Sequence, residues 1–300
     1  MKKKAIILAF LSALLYALNT PFSKIMMKNV SSNMMGAFLY LGAGVGSVIV
    51  FYSLLKRHQE EKEKIEKADV PKLALIVGLD IGAIILIMLG VKMCNASTVS
   101  LLSNFEIVAT SVIAHFFFNE KVRKKLWVAV FIITIASIVL SINPNDGFEL
   151  SIGSLFVLIG TIMWGLENNI TRKIAHKSAS EIVMIKGFGT GIGVLIVALC
   201  AMEKFPTLLQ IGMIMIVGFL VYGVSTFCFI RAQRHLGAAR SSAYYATSPF
   251  IATLLSFAFL HEQISLFYII GLALMIAGTT LTVIETLEVS KTTEDKINLA

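Results

Sequence analysis

LGVKMCNASTVSLLSNFEIVATSVIAHFFFNEK (residues 89–121) and RAQRHLGAARSSAYYATSPFIATLLSFAFLHEQ (residues 231–263) run side by side at a constant offset of 142 residues. Lys92 falls on Arg234, Ala96 on Ala238, Ser100 on Ser242, Ile107 on Pro249 and Glu120 on Glu262. A second ungapped match lays YALNTPFSKI (16–25) over WGLENNITRK (164–173), pairing Tyr16 with Trp164, Asn19 with Glu167 and Lys24 with Arg172. The second half of the chain repeats the first.

Outward from these matches, apolar runs fill the 300 residues almost end to end, with 57% hydrophobic and only 15% charged residues. One soluble core could not hide that much apolar surface. The runs lie at 5–27, 33–55, 72–93, 97–118, 125–142, 151–172, 181–202, 208–230, 238–260 and 264–285. Each is about the length that crosses roughly 30 Å of hydrocarbon as a helix. Hydrocarbon offers backbone N–H and C=O groups no partner, and the runs are too long and too uniformly apolar for barrel strands. The fold class expected is an all-α membrane protein of ten transmembrane helices. Five spans per repeat is an odd number, so the two halves cross in opposite senses, the inverted repeat of secondary transporters. The repeats are expected at 1–142 and 151–287, with a cytoplasmic tail at 288–300.

Charge sets the orientation. With a cytoplasmic N-terminus, 21 of the 26 Lys and Arg residues fall on the inner side; Lys24, Lys28, Lys92 and Lys204 lie near the outer face and Lys186 lies within a span. That bias places both termini in the cytoplasm. The formal net charge of +8 then records topology, and because the basic residues sit in short separate loops rather than in one stripe, nucleic acid is not an expected partner. The MKKKAIILAFLSALLYAL start imitates a signal peptide, but the apolar run continues to Met27 without a small-x-small cleavage site, so it reads as an uncleaved first span. Cys94, Cys200 and Cys228 have no metal spacing. No phosphate loop or nucleophile elbow is present, so neither a cofactor nor an ATP-driven cycle is expected.

These residues resemble the EamA-type permeases of the drug/metabolite transporter superfamily. The pattern is an aromatic and a basic residue bracketing the first span of each half (Tyr16 to Lys24, Trp164 to Arg172), then a basic residue, small residues, an apolar helix often holding a proline (Pro249), and a closing glutamate (Glu120, Glu262). The likeness covers residues 5–285, and Ile107 departs from it where the proline should stand. It implies ten helices around a central cavity, alternating access, and a small polar or amphipathic solute crossing the inner membrane of a prokaryote.

Ionisable groups inside spans are costly and therefore mark candidate sites. Glu106 lies near the middle of the fourth span with Ser103 and Thr110 on its helical face, and is the first choice for solute binding. A carboxyl held neutral for packing is the blander alternative. Ser248 beside Pro249 occupies the matching place in the other half, where the proline should free the Tyr245 carbonyl toward a cavity. Trp164, Glu167 and Thr171 share one face of span six, as Tyr16, Asn19 and Ser23 share one face of span one; each face offers a ring beside a polar anchor. Lys186 and Glu167 both sit about five residues, or roughly 7 Å, from the cytoplasmic side of consecutive helices, which suits an ion pair or gate. Asp80 and His115 in the inner half suit a polar pair or proton path.

The expected activity is secondary transport of an amino-acid or cationic metabolite, with export favoured. A multidrug or quaternary-cation exporter and an uptake permease stay open, and a membrane-embedded enzyme or a non-transport subunit or receptor are the remote readings. The partners expected are a small-molecule solute and the lipid bilayer, with protons a candidate coupling ion and a homodimer a candidate assembly.

Overall fold

The computed structural model describes residues 2–55, 65–118, 123–143, 149–174, 177–236 and 244–298. The expectations for Glu120, Ala238 and Ser242 lie outside them. The described helices are α1 (Lys2–Ala17), α2 (Asn19–Met26), α3 (Ser32–Leu55), α4 (Val70–Met93), α5 (Ala96–Leu102), α6 (Phe105–Phe118), α7 (Lys124–Ser141), α8 (Ile152–Lys173), α9 (Ala179–Cys200), α10 (Leu208–Gly218), α11 (Ser225–Leu236), α12 (Ser248–Leu260) and α13 (Leu266–Asn298). A π-helical segment, Phe219–Val224, joins α10 to α11. The one departure from helix with paired strands is an antiparallel pair of two residues a side, Ile142–Asn143 on Glu149–Leu150, among the described residues.

Among the described residues, eight stretches are long and apolar enough to cross a membrane: Lys3–Met26, Ser32–Ile49, Lys67–Met93, Ala96–Phe118, Lys124–Ser141, Glu181–Cys200, Leu208–Phe229 and Leu266–Glu288. Two expected spans are not among them. The sixth, α8, has 22 residues, but Glu167, Asn168, Asn169, Arg172 and Lys173 crowd its last two turns. The ninth, α12, is described as an apolar helix of 13 residues.

Three spans differ from the continuous helices expected. The first breaks at Leu18, where Pro21 has no N–H to offer the Ala17 carbonyl. The fourth breaks at Ser103–Asn104 without any proline: Asn104 N–H bonds Leu101 O at 3.1 Å and Ile107 N–H bonds Asn104 O at 3.0 Å, tight turns that separate α5 from α6. In the ninth, Pro249 does not kink a helix from within. It sits in the first turn of α12, where its missing N–H costs nothing, and Phe250 and Ile251 both bond the Thr247 carbonyl. The expected release of the Tyr245 carbonyl is therefore the start of a helix rather than a gap inside one.

The core lies between the helices, on Met34, Met35, Leu39, Ile84, Met88, Leu101, Leu102, Ile133, Ile214 and Met275, each essentially inaccessible. Close backbone approach is what the glycines supply. A Cβ on Gly42 would stand 2.2 Å from the Met215 carbonyl oxygen, and one on Gly187 would stand 2.6 Å from Gly44 Cα, so α3 meets α10 and α9 nearly backbone to backbone. Gly46, Gly191, Gly271 and Gly278 likewise abut Phe219, Leu41, Leu140 and Ile133.

Charged side chains pin the helix ends. Lys24 Nζ donates to the carbonyls of Val91 (2.7 Å), Lys92 (3.1 Å) and Cys94 (2.6 Å), the orphan acceptors at the end of α4. Glu262 takes the Ala96 and Ser97 N–H groups that open α5. At the opposite end of α4, buried Lys177 lies 2.9 Å from Glu66 and 3.7 Å from Asp69. Arg123 and Lys125 lie 3.6 Å and 2.7 Å from Glu285 and Glu288, tying α7 to α13.

Candidate functional site

The helix breaks surround a cavity of about 790 Å³. Its lining comes from α1 (Tyr16), α3 (Tyr40), α4 (Asp80), the Ser103–Asn104 turn, α6 (Glu106, Thr110), α8 (Trp164, Glu167, Asn168, Thr171, Arg172), α9 (Lys186), the π segment (Tyr222), α11 (Thr226, Phe229), Tyr245, α12 (Ser248, Pro249) and α13 (Thr279, Thr282, Thr286). Arg172 is exposed, so the cavity reaches the surface where α8 ends.

One wall is acidic. Asn168 Nδ2 donates to Glu106 Oε1, joining α6 to α8. Next to it, Asn169 Nδ2 bonds the Thr110 carbonyl at 3.1 Å and the Gly165 carbonyl at 2.8 Å. Gly165 lets the helices close here, since a Cβ on it would stand 2.6 Å from Ala109 Cβ. Thr171 Oγ1 donates to Glu167 Oε1 within α8. Lys186 Nζ lies 2.9 Å from Glu167 Oε1 and 3.3 Å from Asp80 Oδ2. Three carboxylates thus line the cavity with two cations, Lys186 at depth and Arg172 at the rim.

Another part of the lining is aromatic. Tyr16 lies 5.3 Å from Tyr245 and 5.9 Å from Tyr222; Tyr222 lies 5.0 Å from Tyr40, and Tyr245 5.1 Å from Phe229, all as ring centroids. Asn19 Nδ2 fixes this wall by donating to Tyr222 Oη at 2.9 Å. Such rings offer an apolar or cationic group a face that water does not compete for strongly.

The cavity brings together Tyr16, Ser103, Glu106, Thr110, Trp164, Glu167, Tyr245, Ser248, Asp80 and Lys186. Ser103 belongs to the turn rather than to the helix of Glu106, yet both face the same space. Asn19 does not line it; it is 5% exposed and acts behind Tyr222. His115 packs edge-on against Trp127 at 5.5 Å and Phe116 at 5.0 Å, outside the lining, while Asp80 sits with Lys186 and Glu167, so the expected Asp80–His115 pairing gives way to a three-residue cluster. Sequence reasoning passed over Asn168, Tyr40 and Tyr222. Asn168 was visible as the polar neighbour of Glu167, whereas a tyrosine within an apolar run gives no polarity signal.

A multi-pass bundle of apolar helices around a cavity with charged and aromatic walls defines the class, a helical membrane protein built to admit a small molecule. A family model described as the EamA-like transporter family matches residues 3–142 and 151–284. The chain belongs to that family, within the drug/metabolite transporter superfamily. It is similar to an uncharacterized transporter of Clostridium kluyveri, 25% identical over 92% of each chain. It is similar too to one of Methanothermobacter thermautotrophicus, 21% identical over 89% of this chain and 82% of that one, and to the uncharacterized transporter YyaM of Bacillus subtilis, 21% identical over 78% and 80%. A solved crystal structure shares the fold, with a TM-score of 0.65 at 14% identity over 96% of this chain and 99% of that chain.

Proposed function

We propose that this chain is a secondary transporter that exports a small polar or amphipathic metabolite of amino-acid or cationic type, by alternating access, across the inner membrane of a prokaryotic cell. Both termini are cytoplasmic, and two inverted five-helix repeats occupy 1–142 and 151–287. Glu106 holds the solute's positive end, Ser103, Thr110 and Ser248 its polar groups, and Tyr16, Trp164 and Tyr245 its apolar body.

The observation that carries this reading is the 790 Å³ cavity with Glu106 facing it at mid-span. Packing supports the inverted repeat. With the expected spans numbered one to ten, three packs on six as eight packs on one, four on six as nine on one, and two on eight as seven on three. Pairs two–seven, four–nine and five–ten map onto themselves, as a two-fold relation between halves requires. Two halves that can exchange conformations give the two access states. The five-ring aromatic wall favours, as a second reading, an exporter of bulkier quaternary cations.

Counterflow in proteoliposomes tests both, after a thermal-shift screen against amino acids, amines, nucleosides and quaternary ammonium compounds has found a ligand. Exchange of a stabilising amine is the expected result. Protein that binds and exchanges none of the four classes defeats the proposal.

A further inference from the structure

At the head of the acidic wall one ammonium serves two carboxylates. Lys186 Nζ is 2.9 Å from Glu167 and 3.3 Å from Asp80, whose residues are 2% and 0% exposed. Glu167 receives the Thr171 hydroxyl, while Asp80, fully buried, meets the Lys186 ammonium and the Trp164 side chain. The other charged or titratable groups around the cluster are Glu106 from α6, Arg172 at the rim of α8, and the neutral phenols Tyr16, Tyr40 and Tyr222 from α1, α3 and the π segment. Fully ionised, the cluster carries one negative charge that Lys186 cannot balance, in a place where unbalanced charge is expensive.

The fold does not need those charges. On the repeat relation proposed above, on which this step rests, Glu167 corresponds to Asn19 and, at the offset of 142 residues, Asp80 corresponds to Tyr222. The counterpart of α9 is α3, which contributes Tyr40. There the same three-helix junction is built without charge: Asn19 donates to Tyr222 at 2.9 Å and Tyr222 lies against Tyr40. One part of the pseudo-symmetric pathway is lined by neutral groups and the other, toward the end where the cavity reaches the surface, by an acid-rich cluster. Packing alone would have been served by either.

We propose that Asp80 and Glu167 together bind one proton beside the Lys186 ammonium, forming a proton site of the transport cycle separate from the solute carboxylate Glu106. With the proton bound, the cluster is neutral and holds α4, α8 and α9 together. When the proton leaves into the cavity, the excess negative charge remains and that end of the pathway loosens. Only this end responds to protons, because Asn19, Tyr222 and Tyr40 stay neutral through the physiological range.

Infrared difference spectra of the purified full chain between pH 5 and 9 read the site directly through the C=O stretch of a protonated carboxyl. The reference is Glu106→Gln, so that Glu106 contributes nothing to the comparison. In that background a pH-dependent carboxyl band is expected, and either Asp80→Asn or Glu167→Gln should remove one carboxyl equivalent from it. Asp80→Glu, which keeps an acid beside Lys186, should retain the band and so separates loss of the site from misfolding. A band unchanged by both neutralising substitutions overturns the proposal, as does its absence from the reference protein. Stabilisation by sodium without any carboxyl band would mean a metal-cation site and overturns it as well. The spectra require no solute, so failed counterflow with an intact band would sink the transport reading and leave the proton site standing.

Discussion

Glu262 grips the start of α5 with both oxygens, accepting the Ala96 N–H at 2.6 Å and the Ser97 N–H at 3.0 Å across 165 residues of chain. Lys24 closes the other side of the same connection through three carbonyls at the end of α4. Carboxylate at a helix N-terminus and ammonium at a C-terminus are both favourable against the helix dipole. Glu262→Ala should lower stability by about 1 to 2 kcal/mol, and Glu262→Gln by less, because the amide oxygen still accepts one bond. Thermal unfolding in detergent checks this. Lys24→Met combined with Glu262→Ala should be non-additive, since both hold one short connection.

The orientation makes a separate expectation, from the inner-side bias of Lys and Arg residues. A reporter fused after Ala300 should signal cytoplasm and one inserted near Asn145 the exterior. Both on one side would defeat the ten-span arrangement.

What could be read from sequence followed where charge interrupts an apolar run. Glu106, Asp80, Glu167 and Lys186 stood out because a membrane span has no cheap place for them, and all four line one cavity. The helix break at Ser103–Asn104 was hidden because no proline marks it; a local turn of Asn104 to Leu101 makes it, and such hydrogen bonds leave little trace in composition. The aromatic wall was half-visible. Tyr16 emerged through its repeat partner Trp164, while Tyr40 and Tyr222 meet only when α3 and the π segment pack, at Gly218 and Gly46.

The charge cluster changes what mutation should do. Sequence alone suggests that Glu167→Gln strands Lys186 and that adding Lys186→Met relieves it. With Asp80 3.3 Å away, Lys186 keeps a partner in Glu167→Gln, so that change should be mild. Lys186→Met should be the damaging one, costing about 3 to 5 kcal/mol by leaving the buried acid pair, with its shared proton, without a cation for the remaining charge. Adding Asp80→Asn to Lys186→Met should recover part of the loss. A triple-site thermal-unfolding series measures the order, and equal costs for Glu167→Gln and Lys186→Met would contradict it.

Gly42 offers a packing test with an internal control. A methyl there would lie 2.2 Å from the Met215 carbonyl oxygen, and backbone cannot swing aside as a side chain can. Gly42→Ala should therefore separate α3 from α10 at a cost of about 1 to 3 kcal/mol. Gly78, within α4, has nothing within 4 Å of a built Cβ. Gly78→Ala should be neutral or stabilise by about 0.5 to 1 kcal/mol through reduced chain entropy. Matching losses at the two positions would mean that helix contact at Gly42 is not as close as described.

Glu106 is the group whose replacement separates binding from folding. Its carboxylate receives the Asn168 amide and lines the cavity together with Tyr16 and Tyr245, without the ammonium that serves Asp80 and Glu167. Glu106→Gln preserves size and an acceptor for Asn168 while removing the charge, so the melting temperature should stay close to that of the parent. An amine-bearing solute would lose a charge-assisted contact of roughly 1.5 to 3 kcal/mol, about tenfold to a hundredfold in affinity. A neutral solute should lose far less. Asn168→Ala, which frees the carboxylate without discharging it, should leave amine affinity within a few-fold, so the two variants distinguish charge from positioning. Titration of a stabilising amine and of a neutral analogue against each protein supplies the comparison. If Glu106→Gln binds both with unchanged affinity, the carboxylate serves only to join α6 to α8, and the solute's positive end must be held elsewhere in the cavity.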